Sequence, residues 1–174
     1  MIQQQILLIY SNRYKMEKKY DFVSGDRETI LQNLIEILDL RKNSFHPLAF
    51  INGEPKMGKN VFVGFLSEVN AKGGEVIIGD DCDIASFVSI NVADSHKRCL
   101  EMSEEIERGK IVFENNVFVG SHSFIGGGTH IGHNSVVAAG TILIKGGRIP
   151  PYSLIKGNPA VIYPGYYERK DSDK

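Results

Sequence analysis

The side chains best suited to proton chemistry sit in one short stretch, Asn91-Val92-Ala93-Asp94-Ser95-His96. Histidine titrates nearest neutral pH, so His96 suits a general base that takes a proton from a hydroxyl or an amine. Asp94, two residues earlier, has the chemistry to orient an imidazole and equally the chemistry of a turn residue. Asn91 offers an amide that could bind a substrate beside that base. His122, His130 and His133 raise a metal site, which needs three converging ligands and an open fourth position. Their offsets in the repeat described below all differ, so they are expected to project in different directions, and no metal is expected.

What positions these residues is a period of six that starts at residue 57. Aliphatic side chains, often followed by a small residue, lead each unit at Met57, Val63, Val69, Ile78, Ile84 and Ile90, and again at Phe113, Val119, Ile125, Ile131, Val137 and Leu143. Four residues after most leaders stands a second inward candidate: Val61, Ser67, Cys82, Val88, Val117, Ser123, Thr129, Ser135 and Thr141. One apolar leader and one small residue per six, three times over, closes a triangular coil with short parallel strands for sides. A sheet of ordinary period two would not tolerate glycine so regularly behind its leaders.

The repeat breaks twice. Lys72, Gly73 and Gly74 lengthen one step by three residues, which reads as a bulge at a corner. The second break is long: after Ile90 the chain passes through His96 and a charged excursion from Met102 to Gly109 before the coil resumes. Interruptions of a solenoid map to surface loops, often on the binding face. His96 stands at the root of that loop.

Composition narrows the partners. The chain has 174 residues, 20 Lys and Arg against 21 Asp and Glu, and a formal net charge of -1, so no global field draws it to nucleic acid or an anionic membrane. Cys82 and Cys99 are too few and too separated for a disulfide framework or a paired-cysteine zinc site. The opening MIQQQILLIY lacks a basic n-region and a long apolar stretch, and no run of about 18 apolar residues follows. The expectation is a cytoplasmic protein with no membrane span. Before the repeat, Ile6 to Tyr10 form a short apolar segment. Ser24 to Asp26 can cap a helix over about residues 27–41, in which Ile30, Leu31, Leu34, Ile35 and Leu38 recur at helical spacing. The division expected is an N-terminal α/β cap over residues 1–50, an all-β coil over 51–164 with a loop at about 94–110, and a polar tail over 165–174.

Two stretches carry a resemblance. Ile111 to His122, IVFENNVFVGSH, is similar to the IGNNVWIGSH stretch of galactoside and maltose acetyltransferases, and IPPYSLIKGNPAVI, Ile149 to Ile162, is similar to their closing IPPNSIVAGNPAKVI. The chain thus resembles the hexapeptide-repeat acyltransferases over about residues 57–164. The resemblance implies a left-handed parallel β-helix, acetyl-CoA as cosubstrate, His96 as the catalytic base and a homotrimer with active sites between subunits. It also implies a small sugar acceptor, among them surface polysaccharide precursors carried on nucleotides. Counted along the matched segment, the family's acetyl-CoA contacts fall on Ser121, Ala139 and Lys145. Gly126 to Gly128 and Ala138 to Gly140 leave backbone open for an extended pantetheine arm.

The sequence also departs from the family. Ile144-Lys145-Gly146-Gly147 replaces the usual Thr-Lys-Asp, and Val161 stands where a basic residue is usual, which leaves Lys156 and Arg148 as substitute phosphate contacts. The asparagines and aspartates that galactoside and maltose enzymes use for their acceptor have no counterpart around Gly64-Phe65-Leu66 or Lys72-Gly73-Gly74, so another acceptor is expected. Other readings stay open: an antibiotic acetyltransferase, a nonenzymatic β-helix scaffold, or a metal protein like the γ-class carbonic anhydrases.

Overall fold

The computed structural model describes residues 26–37, 45–46 and 48–169. The chain divides into two units, residues 1–39 and 40–174. In the first, the expected helix runs Arg27–Ile37 with no buried residue. Asp26 caps it: its Oδ1 accepts the Thr29 N–H at 2.8 Å, leaving fewer first-turn donors unpaired. Ser24, Leu38 and the stretch Ile6 to Tyr10 lie outside the described residues.

In the second unit the six-residue period becomes three parallel sheets wound by one chain. The first face stacks Phe50–Asn52, Glu68–Asn70, Ser89–Asn91, Phe124–Gly126 and Ile142–Leu143. The second stacks Lys56–Met57, Glu75–Ile78, Lys110–Phe113, Thr129–Ile131 and Gly147–Ile149. The third stacks Phe62–Val63, Asp83–Ile84, Phe118–Val119, Val136–Val137 and Leu154–Lys156, closed by an antiparallel strand at Val161–Tyr163. Ile125 pairs with Leu143 and Phe113 with Ile131, each eighteen positions on, which is three units of six per turn.

The leaders fill the prism. Val63, Val69, Ile84, Ile90, Val119, Ile125, Ile131 and Val137 have no exposed surface, and Ile149 and Ile155 continue the pattern beyond the last leader read from the sequence. Each isoleucine removed from water is worth about 1.5–3 kcal/mol. The small second residues lie inside as well, and their hydroxyls tie one turn to the next. Ser123 Oγ donates to the Ala138 carbonyl at 3.1 Å and accepts the Thr141 N–H at 3.3 Å. Thr129 Oγ1 donates to the Gly126 carbonyl at 2.8 Å and accepts the Gly146 N–H at 3.0 Å. No buried side-chain polar atom among the described residues lacks a partner. That is the condition for a hydroxyl to be tolerated in a core.

Corners need a left-handed residue. On the edge between the second and third faces that residue is Asn60, Asp81, Asn116 and Asn134 in four successive turns, types whose short polar side chains tolerate positive φ, and Tyr152 in the fifth. Both interruptions of the repeat fall on a different edge, the one between the first and second faces. There Arg108, at the end of the long loop, donates from Nη1 to the Lys72 carbonyl in the short bulge at 2.8 Å. The two breaks meet.

Candidate functional site

The long loop leaves and rejoins the coil through a minimal hairpin, Ala93–Asp94 paired antiparallel with Glu107–Arg108. A helix of four residues, His96–Cys99, follows the outgoing strand. Asp94 Oδ1 accepts the His96 backbone N–H at 3.1 Å and lies 2.6 Å from His96 Nδ1. The ring hydrogen bond, followed by the backbone one, holds the Asp94 carboxyl below its ordinary value. A carboxylate beside Nδ1 favours the tautomer whose proton is on Nδ1, where it can be donated to Asp94, and leaves Nε2 as the proton acceptor that a general base requires. One oxygen, Asp94 Oδ1, makes both the turn contact and the ring contact, so the two alternatives left open in the sequence are compatible. The His96 side chain keeps 53% of its surface exposed, so the ring is reachable.

Asn91 lies on the same edge. Its Oδ1 accepts the Ala93 N–H at 2.8 Å and an N–H of Asn70 at 3.2 Å, so that oxygen shapes the root of the loop. Beside these residues opens a groove of about 1060 Å³ lined by Asn91, Asp94, Glu107, Gly126 to Gly128 and Lys145, among others. Lys145 Nζ is 3.8 Å from Glu107 Oε2, and Glu107 Oε1 pairs with Lys97. Glu107 and Lys97 carried no signal in the sequence, because loop residues follow no repeat.

The expected cofactor residues do not gather in one place on a single chain. Ser121 and Ala139 stand in successive turns on the edge between the third and first faces, where the Ser121 carbonyl accepts the Gly140 N–H at 2.9 Å. Lys145 is on the His96 edge. Lys156 ends a third-face strand, with its ammonium 4.9 Å over the Tyr163 ring of the closing strand. Alongside Ser121 and Ala139 runs an aromatic ladder missed in the sequence. His46 meets Phe65 edge-on at 5.2 Å, Phe65 meets Phe87 at 5.6 Å, and His122 stacks flat on Phe87 at 4.9 Å.

The expectation that His122, His130 and His133 diverge holds only for His122. His130 Nε2 lies 2.8 Å from Glu114 Oε1, and His133 Nδ1 lies 3.0 Å from Glu114 Oε2. Glu114 follows a second-face strand and reaches up one turn to both rings, something their offsets do not reveal. Among the described residues no group of three or more His, Cys, Asp or Glu side chains is placed to hold a metal ion. No helix among them is long and apolar enough to cross a membrane.

This architecture has relatives. A family model described as hexapeptide repeat of succinyl-transferase matches residues 110–145. Galactoside O-acetyltransferase of Escherichia coli is 34% identical over 120 residues, covering 68% of this chain and 56% of that protein. The solved structure of a galactoside acetyltransferase in complex with coenzyme A superposes with a TM-score of 0.55 at 23% identity, covering 97% of this chain and 85% of that one. AntD, an N-acyltransferase from Bacillus cereus solved in complex with dTDP and 3-hydroxybutyryl-CoA, gives a TM-score of 0.59 at 15% identity, covering 69% and 74%. The chain spans between 25% and 56% of the length of the curated relatives it matches. Residues 110–145 match the hexapeptide repeat, and the coil has the left-handed parallel β-helix fold that the resemblance implies. Within that class its sequence is similar to the acetyltransferases, galactoside O-acetyltransferase among them.

Proposed function

We propose that the chain is an acetyl-CoA-dependent acyltransferase that acetylates a hydroxyl or amino group of a sugar or nucleotide-linked sugar, with His96 as general base. The observation that carries this is the Asp94–His96 contact at the root of the loop, beside an open groove. Acetyl-CoA supplies the activated acetyl group as a thioester. Asp94 holds Nδ1 protonated, and Nε2 takes the proton from the acceptor as its oxygen or nitrogen bonds to the acyl carbon. The C–S bond then breaks, and the imidazolium returns the proton to the departing thiolate. His96 is thereby restored, and atoms and charge balance.

The residues fit an extended thioester. At Gly128 and Gly147 nothing lies within 4 Å of where a side chain would begin, and both line the groove. The open backbone there accommodates a thin arm, and Lys145 offers a cation for a phosphate. Ser121 and Ala139 stand on another edge of the prism. In our reading they serve a second copy, the donor lying between chains of a homotrimer so that each site takes His96 from one chain and Ser121 from its neighbour. The galactoside-type relatives support an O-acetyl acceptor, and AntD, solved with dTDP and an acyl-CoA, supports a nucleotide-linked amino sugar.

The test is incubation with acetyl-CoA and a panel of free sugars, nucleotide-linked amino sugars and antibiotics, followed by mass spectrometry. A gain of about 42 Da corresponds to one acetyl group replacing the hydrogen that the base removes. Such a gain on a sugar supports the reading. A gain confined to an antibiotic moves the acceptor class, and coenzyme A failing to bind at all contradicts the function.

A further inference from the structure

The His96 helix cannot hold itself in place. It has four residues, none buried, and its N-cap Ser95 makes no side-chain capping bond. Helix nucleation is unfavourable, so a single isolated turn forms only where outside contacts fix it. Asp94 fixes the His96 ring and its N–H. A further contact is Glu107, which faces Asp94 directly across the hairpin. One of its carboxylate oxygens pairs with Lys97, the residue after His96, and the other lies 3.8 Å from Lys145 on the coil itself.

Resting on the acyltransferase reading, we propose that Glu107 is a positioning residue that links the His96 helix, through Lys97, to the coil through Lys145. Lys97 and His96 are adjacent in the helix, so anchoring one sets the direction in which the other points around the axis. Asp94 and Glu107 divide the task, Asp94 setting the ring and Glu107 the helix that carries it. The ion pairs are substantially exposed, with Lys97 and Glu107 side chains 44% and 37% accessible. Exposed pairs add little to global stability, so the effect lies in geometry. A small displacement of a general base is costly to rate even where the fold is intact.

The test uses the full chain with Glu107→Gln and, separately, Lys97→Met. Hydrogen exchange is read at the Cys99 and Leu100 amides, which donate to the Ser95 and His96 carbonyls. Both variants are expected to speed exchange there by about tenfold with an unchanged melting temperature, the signature of local opening. In thiol release from acetyl-CoA both should lower kcat by about tenfold. KM for acetyl-CoA should stay fixed in Lys97→Met, which leaves Lys145 with its Glu107 partner. The double variant should be no worse than either single one, since both cut the same link. Exchange at Cys99 and Leu100 equal to wild type in Glu107→Gln overturns the proposal whatever the enzyme does. A wild type that releases no thiol with any acceptor while exchange responds as expected removes the acyltransferase reading instead.

Discussion

Asp94 accepts two hydrogen bonds from one residue, the backbone N–H of His96 at 3.1 Å and its ring Nδ1 at 2.6 Å. The first builds the turn that starts the helix, and the second chooses the tautomer. Replacing the carboxylate by an amide keeps a turn-forming oxygen but can no longer enforce the proton on Nδ1. Asp94→Asn should therefore fold with an unchanged melting temperature and lose about one to two orders of magnitude in kcat, within the range of general-base effects. Circular dichroism with steady-state kinetics checks both halves. Wild-type kcat in this variant would leave the aspartate only its turn.

Acid should find Glu114. His133 first, and then His130, hold its carboxyl down at about 2 in the folded chain against an ordinary 4.5. A carboxylate with a depressed folded value contributes stability above its unfolded value and loses it as pH falls toward the folded one. The contribution is present above about 4.5 and disappears between 4.5 and 2. Glu114→Gln should therefore lower the urea midpoint at pH 6 and bring it closer to wild type at pH 3. Glu75, also held down at about 2 by Lys110 and Lys56, titrates in the same window in both proteins and cancels in the comparison. An equal deficit at both pH values would show that Glu114 acts by packing instead.

The stacked interior should answer locally to truncation. Ile125 has no exposed surface, pairs with Ile90 below and Leu143 above, and sits where the turn bearing the loop meets the next. Ile125→Ala should cost about 2–5 kcal/mol, the usual range for emptying such a site. Thermal or denaturant unfolding measures it. A cost under about 1 kcal/mol would mean that the turns collapse onto the vacancy.

Most of the coil could be read in advance because its geometry repeats. A residue's offset within six states whether it points in, so spacing alone places Val119, Ile131 and Ser135 inward, and all three are buried. The same rule stops working where the chain leaves the repeat. The Lys97–Glu107 pair, the docking of Arg108 on Lys72 and the convergence of His130 and His133 on Glu114 depend on side-chain reach or loop path. The Phe65, Phe87 and His122 ladder has no fixed period in the sequence because insertions displace its members from an eighteen-residue spacing, although the turns restore them to one edge. At the site, Asp94 and His96 were legible as neighbours in sequence. Ser121, Ala139 and Lys145 were grouped by resemblance, and the fold distributes them over two edges.

The central claim is best tested by thiol release from acetyl-CoA, comparing wild type with His96→Ala at saturating acceptor. The account predicts acceptor-dependent release by wild type and a loss of about two or more orders of magnitude in kcat for the variant, with its fold intact. Equal release by both proteins would contradict His96 as the base. No release by wild type with any acceptor would contradict the transferase itself.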